Sequence, residues 1–392
     1  MLDFLTRRKS LPPRQSQVGL CRRSVLTLAA GALAMGRFVA DASDLSADAK
    51  ALIEGGFAAD TSEKLDLGYR SGLLYGLHAV VVQRSGTLLF ERYFAGEDWF
   101  GGRSLGHVTF DASTLHDLRS VTKSVTSLIY AIALEQGKVP APDARLLDSF
   151  PEYPDLASDP QRAAWTIGHV LNMTLGTEWN EDLPYSDPAN SEIMMDRAPD
   201  RNRFILDRPI ADKPGERWRY NGGCSALLGH LIARGTGQSL ESFANDALFR
   251  PLGIAASEWR KGGDGVASAA SGLRLTARDF LRVGQLMLAK GSWEGRQIVP
   301  ASWIEACMTP AVSIGDGRRY SRQWYLTDQA VPAVKGALPM ISANGNGGQR
   351  LFILPSLDLV VGTLAGNYNQ PGQSIVPNLV LQRIVLANLK RA

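Results

Sequence analysis

The chain has 392 residues, with 42 Lys and Arg against 39 Asp and Glu. That is room for one large domain or two modest ones. Its 45% hydrophobic and 21% charged content excludes a disordered, collagen-like or coiled-coil chain.

The first 42 residues read as a leader outside the fold. Arg22-Arg23 precede the short apolar run Val25–Met35, and Ala40-Asp41-Ala42 supplies an A-x-A cleavage pattern. The run is far short of the ~20 apolar residues that cross a bilayer, so an export signal is expected rather than a span. Twin-arginine and Sec routes both fit, and export points to the periplasm. The leader carries seven Lys or Arg and two Asp, net +5, against +3 for the whole chain. The remainder is therefore 3 − 5 = −2. The basic balance belongs to the leader and gives no reason to expect nucleic acid as a partner.

Residues 76–95 read as a hairpin, two alternating apolar stretches around the turn Arg84-Ser85-Gly86. In "LRSVTKSVTSLIYAIALEQG", residues 118–137, Val121, Val125, Leu128, Ile129 and Ile132 fall at helical spacing and Gly137 is a stop. The middle of the chain, about 120–305, reads as mostly helical. Thr276-x-x-Asp279 resembles a capping box. A second pair of strands runs up to Pro355 and on from Leu357, and a last helix covers about Ile375–Leu389. One antiparallel sheet built from both ends of the chain and flanked by helices, an α+β fold, accounts for these elements most economically.

Ser120 opens the central helix and Lys123 follows one turn later. Residues i and i+3 share a helix face, so hydroxyl and amine meet without tertiary help. A serine needs a base to become a nucleophile, and a lysine serves when desolvation lowers its pKa from ~10.4. Helix-start N–H groups point toward charge developing on a substrate oxygen. The tetrapeptide alone is a weak signal. A lysine in so apolar a helix strengthens it, because burial of a charge needs a reason. Tyr220 sits in the Gly-rich loop of "PGERWRYNGGCSALLGHLI", and "SANGNGGQRLFILP" puts a Gly-rich turn before a strand. A tyrosine can protonate a leaving group, and glycines let a substrate reach backbone N–H groups. Cys224 and Cys307 are expected as buried thiols, and Cys224 as a rival nucleophile is set aside. The five His are scattered, with no Cys-x-x-Cys and no His-Glu-x-x-His, so neither metal nor cofactor is expected. No Gly-x-Ser-x-Gly elbow occurs, which argues against an α/β-hydrolase.

These three stretches, in this order, resemble the serine β-lactamase and penicillin-binding-protein superfamily in its class C-like branch, over about residues 70–390. "LNMTLGTEWNEDLPYSDP", the "YNGG" loop and the "NGGQ" turn are similar to the nylon-oligomer (aminohexanoate-dimer) hydrolases and related esterases. The resemblance implies a β-lactamase/transpeptidase-like fold over residues 43–392. It implies Ser120 as the acylated serine, Lys123 as its base and Tyr220 as the second acid/base. Two positions depart from the pattern. The family's Tyr-x-Asn asparagine falls on Gly222, with Asn221 one residue early. The lysine of its Lys-Thr-Gly strand falls on Ala343, with Asn344 and Gly345 after it. That loss weakens the expectation of β-lactamase or D-peptidase activity. Tyr185, Asn221, Gly345, Asn346 and Gln349 are candidate substrate or oxyanion contacts, with the second oxyanion N–H expected at Asn346. The implied function is an exported serine hydrolase acting on a small amide or ester. The alternatives are a β-lactamase or D-peptidase, or a penicillin-binding relative without turnover.

Overall fold

A computed structural model describes residues 45–391. The leader expected over residues 1–42 lies outside them. Two helices, Ala47–Glu54 and Thr61–Arg70, come first. Strands β1 (Leu77–Arg84) and β2 (Thr87–Tyr93) then form the expected hairpin. Its turn residues Ser85 and Gly86 have φ of 50° and 77°, the left-handed pair that a tight two-residue hairpin turn demands.

A second hairpin, β3 (Ala95–Phe100) and β4 (Arg103–Thr109), stands apart from the main sheet. Short strands β5 (His116–Asp117), β6 (Glu258–Trp259), β7 (Leu273–Leu275), β8 (Ser292–Trp293) and β9 (Arg296–Gln297) interrupt the helical middle region. The chain returns to the sheet through β10 (Val312–Gly315), β11 (Arg318–Ser321), β12 (Trp324–Ala330), β13 (Ala337–Gly345), β14 (Gln349–Leu354) and β15 (Leu359–Ala365).

The main sheet has eight strands in the order β10-β11-β12-β13-β14-β15-β1-β2, all antiparallel. The two ends of the chain meet where β1 pairs with β15, Val82 opposite Val361. Both faces of the central strands are covered, so β1 and β15 are buried almost throughout rather than alternating in exposure. Alternation survives in which layer each residue enters. Ala79 and Val81 of β1, Leu351 and Ile353 of β14, and Val360 of β15 pack into the core beneath the middle helices. Val80, Val82, Phe352, Leu354 and Val361 pack into a second core. That core is shared with the first two helices and with the closing helical segment, Ile375–Leu379 continued to Asn388.

The Ser120 helix, Val121–Glu135, lies inside the first core with every residue from Val121 to Ala133 buried. Being buried all round, it is held by packing and not by amphipathic contrast. The helix Gly222–Thr236 packs beside it and ends at Gly237 with φ 71°, a left-handed C-cap. Thr276 caps the helix Ala277–Leu288 by accepting from the Asp279 N–H. Its hydroxyl donates to the Asp279 carboxylate at 2.8 Å, a local variant of the expected box. Cys224 and Cys307 are buried free thiols. Among the described residues no helix is long and apolar enough to cross a membrane.

Candidate active site

Ser120 is the residue before the first turn of its helix, yet its hydroxyl makes no capping bond. A capping serine would spend its oxygen on a backbone N–H two or three residues on. Here the Lys123 N–H goes to the Ser120 carbonyl at 3.1 Å. The hydroxyl instead faces the Lys123 ammonium nitrogen, Nζ to Oγ 3.3 Å. Lys123 Nζ also donates to the Ala270 carbonyl at 2.8 Å and lies 4.9 Å from the centre of the Tyr220 ring. No carboxylate forms an ion pair with it among the described residues. A lysine only 2% exposed and held this way is desolvated, the condition under which an amine can work as a base.

Tyr220 comes from the loop before the helix Gly222–Thr236 and turns its phenol toward Ser120. Burial, and then the charge of Glu181, push its pKa well above the ordinary value, while Ser120 pulls the other way. The phenol therefore keeps its proton at neutral pH and is a donor. Ser120, Lys123 and Tyr220, drawn from positions a hundred residues apart, converge on one point.

The residue before the serine is strained. Arg119 has φ 51°, a left-handed conformation that costs a bulky residue on the order of 1–2 kcal/mol. Its N–H donates to Asp117 Oδ1 at 2.8 Å, its Nε lies 3.2 Å from Asp117 Oδ2, and its guanidinium stands 4.4 Å over the Tyr368 ring. Asp117 and Tyr368 thus hold the bend that presents Ser120.

Strand β13 closes the other side. Gly345 lies against the Leu118 carbonyl, where any Cβ would collide. Asn346 follows and lines the same cavity as Ser120. Its side chain is tied to Asn369, Nδ2 to Oδ1 2.8 Å and Asn369 N–H to Oδ1 2.8 Å. The cavity measures about 490 Å³, the size of a small-molecule site. Trp99 from the β3–β4 hairpin, Tyr185, Glu192 and Tyr368 line it. The charge of Glu192, and then burial, push the Tyr185 phenol far up.

Two candidates from the sequence have other work. Asn221 accepts from the Cys224 N–H at 3.2 Å and caps its helix. Its side-chain oxygen serves as a structural cap. Gln349 is fully buried and clamps backbone groups: Nε2 to Ala365 O 2.6 Å and Asn346 O 3.0 Å, and Ala365 N–H to Oε1 2.9 Å. It shapes the turn. Glu181, Glu192, Arg119 and Trp99 were not singled out from the sequence. A buried carboxyl has no local signature, and the β3–β4 strands lack a clean two-residue alternation. Two of the five scattered histidines meet, His78 Nδ1 to His116 Nε2 2.9 Å, fully buried.

The chain belongs to the family described as Beta-lactamase, matched over residues 74–374, a family of hydrolases. It is similar to the 6-aminohexanoate-dimer hydrolase of Paenarthrobacter ureafaciens, 27% identical over 313 residues, 73% of this chain and 72% of that one. Among solved structures it resembles a putative 6-aminohexanoate-dimer hydrolase from Bacillus anthracis, with TM-score 0.63, 22% identity and coverage of 82% and 81% of the two chains. It also resembles a class C β-lactamase, with TM-score 0.59, 15% identity and coverage of 82% and 95%.

Proposed function

We propose that this protein is an exported serine hydrolase that cleaves an amide or ester of a small substrate through an acyl-enzyme on Ser120. One observation carries the reading. The Ser120 hydroxyl, released from helix capping, lies 3.3 Å from a buried lysine nitrogen that has no carboxylate ion pair among the described residues.

In the first half-reaction Lys123 takes the Ser120 proton as the oxygen attacks the substrate carbonyl. The negative charge that develops on the carbonyl oxygen meets the N–H groups of Ser120 and Asn346, at a helix start that favours anions. Tyr220, a neutral phenol, gives its proton to the leaving amine or alkoxide. The carbonyl–leaving-group bond breaks and the acyl group stays on Ser120. In the second half-reaction water loses a proton to the Tyr220 phenolate and adds to the acyl carbon, the Ser120–acyl bond breaks as Lys123 returns its proton to the Ser120 oxygen, and the acid is released.

The similarity to the aminohexanoate-dimer hydrolase supports a linear amide of modest size. The cavity volume and its aromatic walls agree with that scale. Ala343 supports acyl transfer without β-lactam recognition, since the family's strand lysine is missing there. Export rests on Arg22-Arg23, the short apolar run and Ala40-Asp41-Ala42.

A fluorophosphonate probe tests the reading. Stoichiometric labelling of Ser120, located by peptide mass, is expected. A protein that binds substrate yet takes no label is a binding relative without turnover, and the proposal fails.

A further inference from the structure

The β3–β4 hairpin lies outside the main sheet, yet its strand β3 brings Trp99 to the cavity that holds Ser120. Three features aim that side chain. Asp98 is fully buried, and its Oδ2 pairs with Nη2 of Arg274 on β7 at 2.7 Å. The Arg274 guanidinium also stands 5.2 Å over the Phe100 ring. Successive side chains of a strand point to opposite faces, so a buried Asp98 turns Trp99 the other way. Asp98 pairs with Gly106 and Trp99 with Ser104, which leaves Leu105 as one residue too many on β4. Gly106 has φ 81°, the left-handed glycine that such a bulge favours, and a bulge beside a site re-aims a side chain. The Trp99 backbone N–H is taken by Asp98 Oδ1 at 2.8 Å.

The tip of the hairpin is held as well. Gly101 and Gly102 turn it with φ of 58° and 85°, and a Cβ on Gly101 would stand 3.4 Å from Arg260 Cδ. Arg260 Nη2 pairs with Asp196 Oδ2 at 2.6 Å. Asp196 belongs to the helix Ser191–Arg197, which also brings Ile193 to the cavity. The hairpin therefore reaches the cavity as an arm fixed at its base by Asp98 and at its tip by Arg260.

A single exposed apolar side chain on open surface means little. Trp99 is different, because it is 39% exposed while held at the cavity of the nucleophile, where its free face meets whatever binds. We infer that Trp99 is a specificity-determining residue whose indole covers a straight apolar chain of the substrate. The enzyme then favours amides and esters that carry several methylenes over acetyl-sized ones. This rests on the reading of Ser120 given above. The arm is fixed before substrate arrives, so little ordering of the protein opposes the contact. Each methylene moved from water onto apolar surface is worth roughly fourfold in kcat/KM.

The test measures kcat/KM for wild type, Trp99→Ala and Trp99→Phe on two ester series. One lengthens the acyl chain of p-nitrophenyl esters from acetate to hexanoate. The other lengthens the alcohol of acetate esters from ethyl to hexyl, followed by acid release. Wild type should rise roughly fourfold per methylene in at least one series, and that series tells on which side of the scissile bond Trp99 acts. Trp99→Ala should cut the rise there to roughly twofold or less per methylene. Trp99→Phe keeps an aromatic face and should retain most of it. The readout is the slope along a series and not the rate on one ester, because a general disturbance of the site lowers every ester alike.

A wild type that rises in neither series overturns the proposal. So does a Trp99→Ala protein with the wild-type slope, or a Trp99→Phe protein that loses as much as Trp99→Ala. Fluorophosphonate labelling separates the two levels. An unlabelled wild type sinks the serine-hydrolase reading itself, whereas a labelled wild type whose slope ignores Trp99 sinks only the role of Trp99.

Discussion

Gly345 of β13 rests directly on the carbonyl oxygen of Leu118, the residue two before the serine. The contact sets the gap between the helix start and the strand, and so the place where a carbonyl oxygen can meet both Ser120 and Asn346. Gly345→Ala should push the strand away by a fraction of an ångström or more. Misplacement on that scale costs on the order of 10²-fold in rate. The check is kcat/KM together with circular dichroism. A folded Gly345→Ala protein with the wild-type rate would show that the second N–H lies elsewhere.

Ser120→Ala should abolish turnover and labelling and leave stability nearly unchanged. Replacing a capping serine by alanine costs about 1 kcal/mol. Ser120 makes no capping bond, so that loss should be missing from urea unfolding midpoints. A destabilisation as large as for a true cap would mean that the hydroxyl serves the helix.

Tyr220→Phe should harm amides far more than activated esters. An amine leaves only when protonated, and a p-nitrophenolate leaves unaided. The loss for amides should be on the order of 10²–10⁴-fold. Equal losses on both substrates would place the effect on Lys123, whose nitrogen faces the Tyr220 ring.

Nitrocefin should be a poor substrate beside p-nitrophenyl butyrate and an aminohexanoate dimer. Ala343 is fully buried in the core and offers no charge to a β-lactam carboxylate. The nearby guanidinium of Arg350 is turned back, its Nη1 donating to the Gly345 and Gln349 carbonyls at 2.7 and 2.8 Å. A lost charged contact is worth ~1.5–3 kcal/mol, roughly ten- to a hundred-fold in affinity. If nitrocefin has the higher kcat/KM, Arg350 reaches the carboxylate after all.

The buried histidine pair should make the fold acid-sensitive. Burial, and for His78 also the neighbouring His116, lower both rings from 6.5 to about 3. Below 6.5 the unfolded chain binds protons that the folded chain refuses, so stability is full above about pH 6.5 and falls as pH drops toward about 3. His116→Asn should flatten that slope in urea midpoints measured from about pH 7 down to about pH 4. An unchanged slope would assign the acid sensitivity to carboxylates.

Local order was legible in the sequence. The Ser120–Lys123 pair depends only on a three-residue spacing along one helix, and helical periodicity named the helix that carries it. Turn chemistry named the β1–β2 hairpin. Two separate apolar strand regions, with nothing else able to cover them, implied one sheet from both ends. What lies between distant residues was decided by the tertiary structure. Asn221 reads as a polar residue in a substrate loop, but the helix beginning at Gly222 takes its side chain as a cap. Glu181 reads as one acidic residue in an acidic loop, until Gly222 leaves a volume that its carboxyl fills. Gln349 joins β14 to the end of β15 across sixteen residues. Period and propensity act over one or two turns of chain. Burial and desolvation depend on which surfaces meet, and only the packed core brings those surfaces together.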